Sequence, residues 1–143
     1  MPIFFRSAPA RQPLAFDSIG NNWPQDPIRR PKGYPLFHYL QTETGQGEIC
    51  IQGKSYLLNP GEGVLIAPFT GHFYKGTGPD WRTCFATFTG TVEDSISKMT
   101  GGRPFIFTDK SQGERICALI RSAVLQYENP PTDEKALSRC CYD

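Results

Sequence analysis

Few residues in this chain are of a type that performs chemistry. Among 143 residues there are two histidines, His38 and His72, and five cysteines, Cys50, Cys84, Cys117, Cys140 and Cys141. A catalytic zinc, iron or manganese ion takes about three protein ligands and keeps a position open. The histidines fall on separate apolar runs with no HxH pair, and Glu43, Glu48 and Glu62 lie in or beside turns. His38, His72 and Glu48 form a 2-His-1-carboxylate set that the chain could in principle assemble, while the plainer reading of each histidine is a hydrogen-bonded pocket or core residue. No metal and no other cofactor is expected.

Nucleophilic catalysis finds no better footing. An activated Ser or Cys needs a base that a third group orients, and Cys50 and Cys84 stand in strand patterns where a buried, inert thiol is the ordinary state. There is no GxSxG, no phosphate-cradling loop and no dinucleotide fingerprint; Gly45-Gln46-Gly47 and Gly61-Glu62-Gly63 read as turns. The odd number of cysteines and the lack of CxxC spacing point to reduced thiols in a cytoplasmic protein. An enzyme is not the expected reading.

A non-covalent pocket remains, and the elements that would build it can be traced. The chain is 38% apolar and 13% aromatic, with 14 Gly and 13 Pro; it has too much apolar surface for disorder and too many breakers for long helices. Its length fits one domain. A net charge of +1 with mixed signs throughout gives no electrostatic footprint for nucleic acid, and no apolar run approaches the roughly 20 residues of a bilayer span. Residues 1–27 contain five prolines and no sustained periodicity, so they read as an N-terminal arm. Residues 28–108 carry short apolar runs separated by turn residues: Tyr34–Gln41, Glu48–Ile51, Ser55–Leu58, Val64–Ala67, His72–Lys75, Thr83–Thr89 and Phe105–Phe107. That rhythm predicts a mainly β fold, a small sandwich or barrel.

Residues 109–143 differ. Ile116, Leu119, Ile120, Ala123, Val124 and Tyr127 recur at steps of three and four, which predicts an amphipathic helix over 113–129 stopped by Pro130-Pro131. The stripe suits a dimer surface, and it equally suits packing on the chain's own barrel. A second helix opens at Thr132 and runs to Asp143, so the parent protein is expected to continue beyond it.

Strand alternation assigns the pocket wall. Tyr34, Leu36, His38 and Leu40 share one face of their strand; His72 and Tyr74 share another, as do Trp81, Thr83, Phe85 and Thr87. Polar groups among aromatics suit a polyhydroxylated ligand, whose hydroxyls take aimed donors and whose ring stacks on apolar faces. Arg29 and Arg30 precede the first long strand, where one of them can reach a ligand hydroxyl or carboxylate.

An ordered series of residues then carries a resemblance. Ile28-Arg29-Arg30-Pro31-Lys32-Gly33-Tyr34-Pro35, His38-Tyr39-Leu40-Gln41-Thr42, Asn59-Pro60-Gly61-Glu62-Gly63, His72-Phe73-Tyr74, Trp81 and Thr87-Phe88-Thr89-Gly90, with Phe16-Asp17-Ser18-Ile19-Gly20 upstream, resemble the N-terminal sensor domain of AraC-type transcriptional regulators. The likeness implies a cupin-like jelly-roll barrel that binds a small molecule, often a sugar, followed by C-terminal helices that dimerise and by a DNA-binding helix-turn-helix domain absent from this chain. It maps ligand contacts onto Arg30, His72, Tyr74, Trp81, Thr83 and Phe85, to which the pocket faces add Tyr34 and His38. Thr83 and Phe85 depart from the His and Trp of arabinose-responsive members, which argues against arabinose as the ligand. Metal-dependent cupins carry a histidine pair and a third histidine, of which only His72 is kept here.

The expected function is therefore the effector-sensing and dimerisation domain of a bacterial regulator. It would take a small-molecule effector of carbohydrate type, form a homodimer and contact DNA only through the further domain. A ligand in the barrel is expected to order the arm over the pocket mouth and shift the helical tail between two arrangements. A metal-dependent cupin enzyme acting on a sugar or small metabolite is the alternative, and a free-standing carbohydrate-binding module is a third reading.

Overall fold

The structure, a computed structural model, describes Phe4–Phe5 and residues 15–89 and 102–128. Its ten strands are β1 (Phe4–Phe5), β2 (Ala15–Pro24), β3 (Ile28–Arg30), β4 (Phe37–Thr44), β5 (Gly47–Ile51), β6 (Lys54–Leu58), β7 (Gly63–Ile66), β8 (His72–Gly76), β9 (Arg82–Thr89) and β10 (Phe105–Thr108), followed by helix α1 (Lys110–Glu128). A six-stranded sheet, in the order β1-β2-β9-β4-β7-β10, faces a four-stranded sheet in the order β3-β8-β5-β6, and every recorded pairing is antiparallel. The mainly β reading holds: seven strands lie between residues 37 and 108, close to the seven apolar runs.

Residues 15–24 correct the reading of an arm. They form β2, which pairs along β9 from Ala15↔Thr89 to Pro24↔Arg82, and Ile19 within it is fully buried. Two register shifts, at Phe16/Ser18 and Gly20/Trp23, break the period-two alternation that marks a strand, with Asn22 at φ 47° in the second. That irregularity hid the strand from pattern reading. Residues 1–3 and 6–14 of the arm lie outside the described residues, and so does the second helix expected at 132–143.

Two apolar cores follow from strand alternation. Between the sheets, Leu40, Ile49, Ile51, Leu58, Val64, Ile66, Tyr74, Trp81 and Phe85 pack together. On the other face of the large sheet, Ile19, Tyr39, Cys84 and Ala86 meet Cys117, Ile120, Ala123 and Val124 of α1. Strand β4 is buried on both faces, sending His38 and Leu40 between the sheets and Tyr39 toward the helix. Hairpin β5–β6 turns on Gln52 and Gly53, both at positive φ (53° and 78°), the geometry of a two-residue type I′ turn.

Close approaches fix the ends of the barrel. A Cβ on Gly47 would land inside the Trp81 indole, and one on Gly113 would strike the Gly61 carbonyl, so the missing side chains let Trp81 plug the barrel and α1 pack on the β6–β7 turn. At the helix start, Asp109 Oδ1 accepts from the Gln112 amide and Gln112 Oε1 accepts from the Asp109 amide, a reciprocal cap.

The helical stripe resolves toward packing on the chain's own barrel. Ile120, Ala123 and Val124 are buried against the large sheet, and Ile116 packs beside them. They are therefore not available as a free dimer face in this arrangement. Leu119 and Leu125 are instead exposed, at 49% and 56%. The Tyr127 side chain lies outside what the structure describes. Among the described residues no helix is long and apolar enough to cross a membrane.

Candidate functional site

At one mouth of the barrel the two sheets part around a cavity of about 340 Å³. Strands β2, β4 and β9 supply Ser18, Trp23, His38, Phe85 and Thr87 to its wall; Gln25, Asp26 and Ile28 come from the β2–β3 connection and β3, and Arg30, Tyr34 and Tyr74 complete it. Register explains the convergence: Arg30 lies opposite His72 on β3–β8, Ile28 opposite Tyr74, and His38 opposite Thr87 on β4–β9.

Arg30 is the hub. Its Nη1 is 3.2 Å from His38 Nδ1 and 3.5 Å from both His72 Nε2 and the Tyr74 hydroxyl, while its guanidinium lies over the Tyr34 ring, 4.8 Å from the centroid. His72 Nδ1 is 2.9 Å from the Thr70 carbonyl oxygen and donates to it, which leaves Nε2 as the acceptor facing Arg30. His72 also stacks on Tyr74, with rings 5.9 Å apart and 8° from parallel. Burial, then the Arg30 charge and then His72 push the His38 imidazole down to about 3. Burial likewise lowers His72, helped by Arg30 and opposed by the Thr70 carbonyl. Both rings are neutral acceptors, and neither supplies Arg30 with a counter-charge. Among the described residues the one ion pair is Arg121–Glu43, remote from this mouth.

A hydroxyl network covers the opposite wall. The Tyr34 hydroxyl and Thr87 Oγ1 both donate to Asp17 Oδ2, at 3.1 and 3.2 Å, and Thr87 Oγ1 lies 2.5 Å from Ser18 Oγ. Trp23 meets Phe85 edge to face at 6.1 Å, an apolar corner beside these polar groups.

Of the residues singled out in the sequence, Arg30, Tyr34, His38, Tyr74 and Phe85 meet at the cavity. His72 stands behind, orienting Arg30. Trp81 and Thr83 do not line the cavity. Trp81 is buried deeper, edge-on to Tyr74 at 5.9 Å with its indole N–H donating to Thr42 Oγ1. Thr83 is fully buried and donates to Gln25 Oε1 at 3.0 Å, which positions a cavity residue. The sequence reading does not find Ser18, Trp23, Gln25 and Asp26, which fall in the segment it reads as an arm, nor Ile28, which stands on the short strand β3 that no apolar run marks. Thr87 had a legible signal, since it shares the inward face of Phe85.

The 2-His-1-carboxylate set does not assemble. His38 and His72 approach, with ring centroids 5.8 Å apart, but Glu48 alternates with the buried Ile49 and so points away from the space between the sheets. The Arg30 guanidinium occupies the place between the imidazoles that a cation would need.

Residues 19–140 match the family model of the AraC-like ligand binding domain. The chain belongs to this family. Among solved structures, the AraC-like domain is similar to ToxT of Vibrio cholerae. Apo ToxT K231A from strain SCE256 gives a TM-score of 0.56 at 7% identity, covering 89% of this chain and 51% of that one. ToxT of strain O395 bound to (E)-4-(8-methylnaphthalen-1-yl)but-3-enoic acid gives 0.53 at 10% identity, covering 85% and 51%. The AraC-like domain thus spans about half the length of these neighbours, and at such identities the likeness is one of fold. No curated protein sequence matches it.

Proposed function

We propose that this AraC-like domain is the effector-sensing part of a cytoplasmic transcriptional regulator, and that its effector is a carbohydrate bound at the cavity around Arg30. The observation that carries the reading is the Arg30 guanidinium, fixed by two neutral imidazoles and a tyrosine hydroxyl and, among the described residues, with no carboxylate in ion-pair contact. A guanidinium so held takes an electron-rich ligand oxygen at short range. Ser18, Tyr34 and Thr87 offer hydroxyls, Gln25 an amide and Asp17 a carboxylate acceptor nearby, while Trp23 and Phe85 give an apolar face for a ring. Neutral sugars satisfy the hydroxyls; sugar acids also satisfy the charge.

The same geometry speaks for binding rather than turnover. No base is poised against a nucleophile here, and the histidines serve to hold Arg30. The signal is a population shift: a ligand that bridges β2, β3, β4 and β8 favours the arrangement in which these strands are closed together and biases the segment preceding β2. DNA contact belongs to a further domain of the regulator, and the homodimer uses the exposed edge of α1 at Leu119 and Leu125.

A thermal-shift panel of neutral sugars and sugar acids tests the assignment. One chemical class is expected to raise the melting temperature in proportion to its logarithmic concentration, and Arg30→Ala to abolish the rise. Undiminished stabilisation in both Arg30→Ala and His72→Ala would place the ligand elsewhere.

A further inference from the structure

A second cluster of reactive side chains lies away from the cavity, at the seam between the large sheet and α1. Glu43 at the end of β4, Cys84 on β9 and Cys117 on α1 bring one carboxylate oxygen and two sulfurs within 4.8 Å of one another. Both thiols are buried, Cys84 fully and Cys117 to 2% exposure, and neither is in a disulfide. Three different elements deliver the three ligands.

We propose that Glu43, Cys84 and Cys117 form a binding site for one thiophilic divalent cation of the zinc class. The distances suit it. Zinc–sulfur and zinc–oxygen bonds of about 2.3 and 2.0 Å in a tetrahedron set a sulfur and an oxygen ligand about 3.5 Å apart, and Cys117 Sγ lies 3.7 Å from Glu43 Oε1. The carboxylate is already oriented, because its other oxygen accepts the Asn22 amide while Arg121 Nη2 sits 2.6 Å from Oε1. The charges close as well. Two thiolates and a carboxylate carry three negative charges, Arg121 returns one positive charge, and a divalent ion makes the buried site neutral, as burial demands. Three protein ligands leave a fourth position for water or a further donor. A surface groove lined by Glu43, Pro60, Gly61, Lys110, Cys117 and Arg121 reaches the carboxylate and the Cys117 sulfur, with Cys84 buried behind them.

Such an ion clamps α1 to β4 and β9. The proposal stands apart from the effector cavity and does not rest on it.

The test is titration of the reduced full chain with Co²⁺ and Zn²⁺ in a background where Cys50, Cys140 and Cys141 are serine. One equivalent of Co²⁺ is expected to give a thiolate-to-cobalt charge-transfer band, which Zn²⁺ displaces, and Zn²⁺ is expected to raise the melting temperature. Cys117→Ala and, independently, Cys84→Ala are expected to remove the band, and Glu43→Gln to weaken binding while leaving both sulfurs in place. Circular dichroism of the metal-free variants confirms that they fold. Absence of the band in the folded parent overturns the site, as does a band that persists in Cys117→Ala. A Cys84–Cys117 disulfide formed with diamide, in a chain that takes up no metal when reduced, also overturns it.

Discussion

Nη1 of Arg30 stands 3.2 Å from Nδ1 of His38, so a permanent cation and a buried imidazole share one hydrogen bond. The pairing is stable only when the ring is neutral, since a buried imidazolium there would lose its hydration and face the guanidinium charge. From this pair follow the pH behaviour of the domain and the proposed place of its ligand.

The His38 ring titrates near 6.5 when unfolded and near 3 when folded. Between these values the unfolded chain binds the extra proton, so stability is present above pH 6.5 and is lost as the pH falls. The loss is about 1.4 kcal/mol per pH unit for this group alone. Urea midpoints at pH 7, 6 and 5 are expected to fall more steeply for the parent than for His38→Asn, whose amide oxygen can accept from Arg30 without titrating. Equal slopes would show that His38 does not govern the acid response.

Trp81 and Gly47 form a second tight relationship. Gly47→Ala puts a methyl into the indole and forces the plug at the barrel end to move. Overpacking of this kind costs about 1–3 kcal/mol. A lower urea midpoint with a shifted tryptophan emission is expected, and unchanged stability would show that the approach is loose.

Helix α1 has a buried edge and an exposed one. Ile120→Ala is expected to destabilise the chain by about 2–5 kcal/mol, as buried large-to-small changes do, whereas Leu119→Ser with Leu125→Ser leaves unfolding within about 0.5 kcal/mol of the parent. Sedimentation of the same double variant tests the proposed homodimer: it is expected to be monomeric at concentrations where Ile120→Ala, still folded, is a dimer.

The barrel is legible because β4 to β10 are short, apolar-rich runs punctuated by Gly, Pro and Asn turns. Strand β2 was not, since its two bulges move Ser18, Ile19 and Gly20 out of a simple period of two. Half of the cavity wall went unseen for that reason, including Trp23 and Gln25. Arg30 and His72 were found, but their relationship depends on β3 pairing with β8, a contact between residues 42 positions apart. The family resemblance places Trp81 among the ligand contacts and alternation puts it on the inner face, but neither fixes a side chain's depth, which here is set by the void over Gly47. The Glu43–Cys84–Cys117 cluster left no sequence signal, as its members come from a strand end, a second strand and a helix with no fixed spacing.

The central claim is that a small molecule binds against Arg30, and titration calorimetry measures this directly. The sugar or sugar acid that stabilises the domain is titrated into the parent, Arg30→Ala and Arg29→Ala, the last altering the exposed neighbour that faces Phe73 on the outer side. One site per chain is expected, with affinity unchanged in Arg29→Ala. Affinity in Arg30→Ala is expected to fall about 10- to 150-fold, the loss of one hydrogen bond to a charged group. Equal affinity in all three proteins would contradict the account.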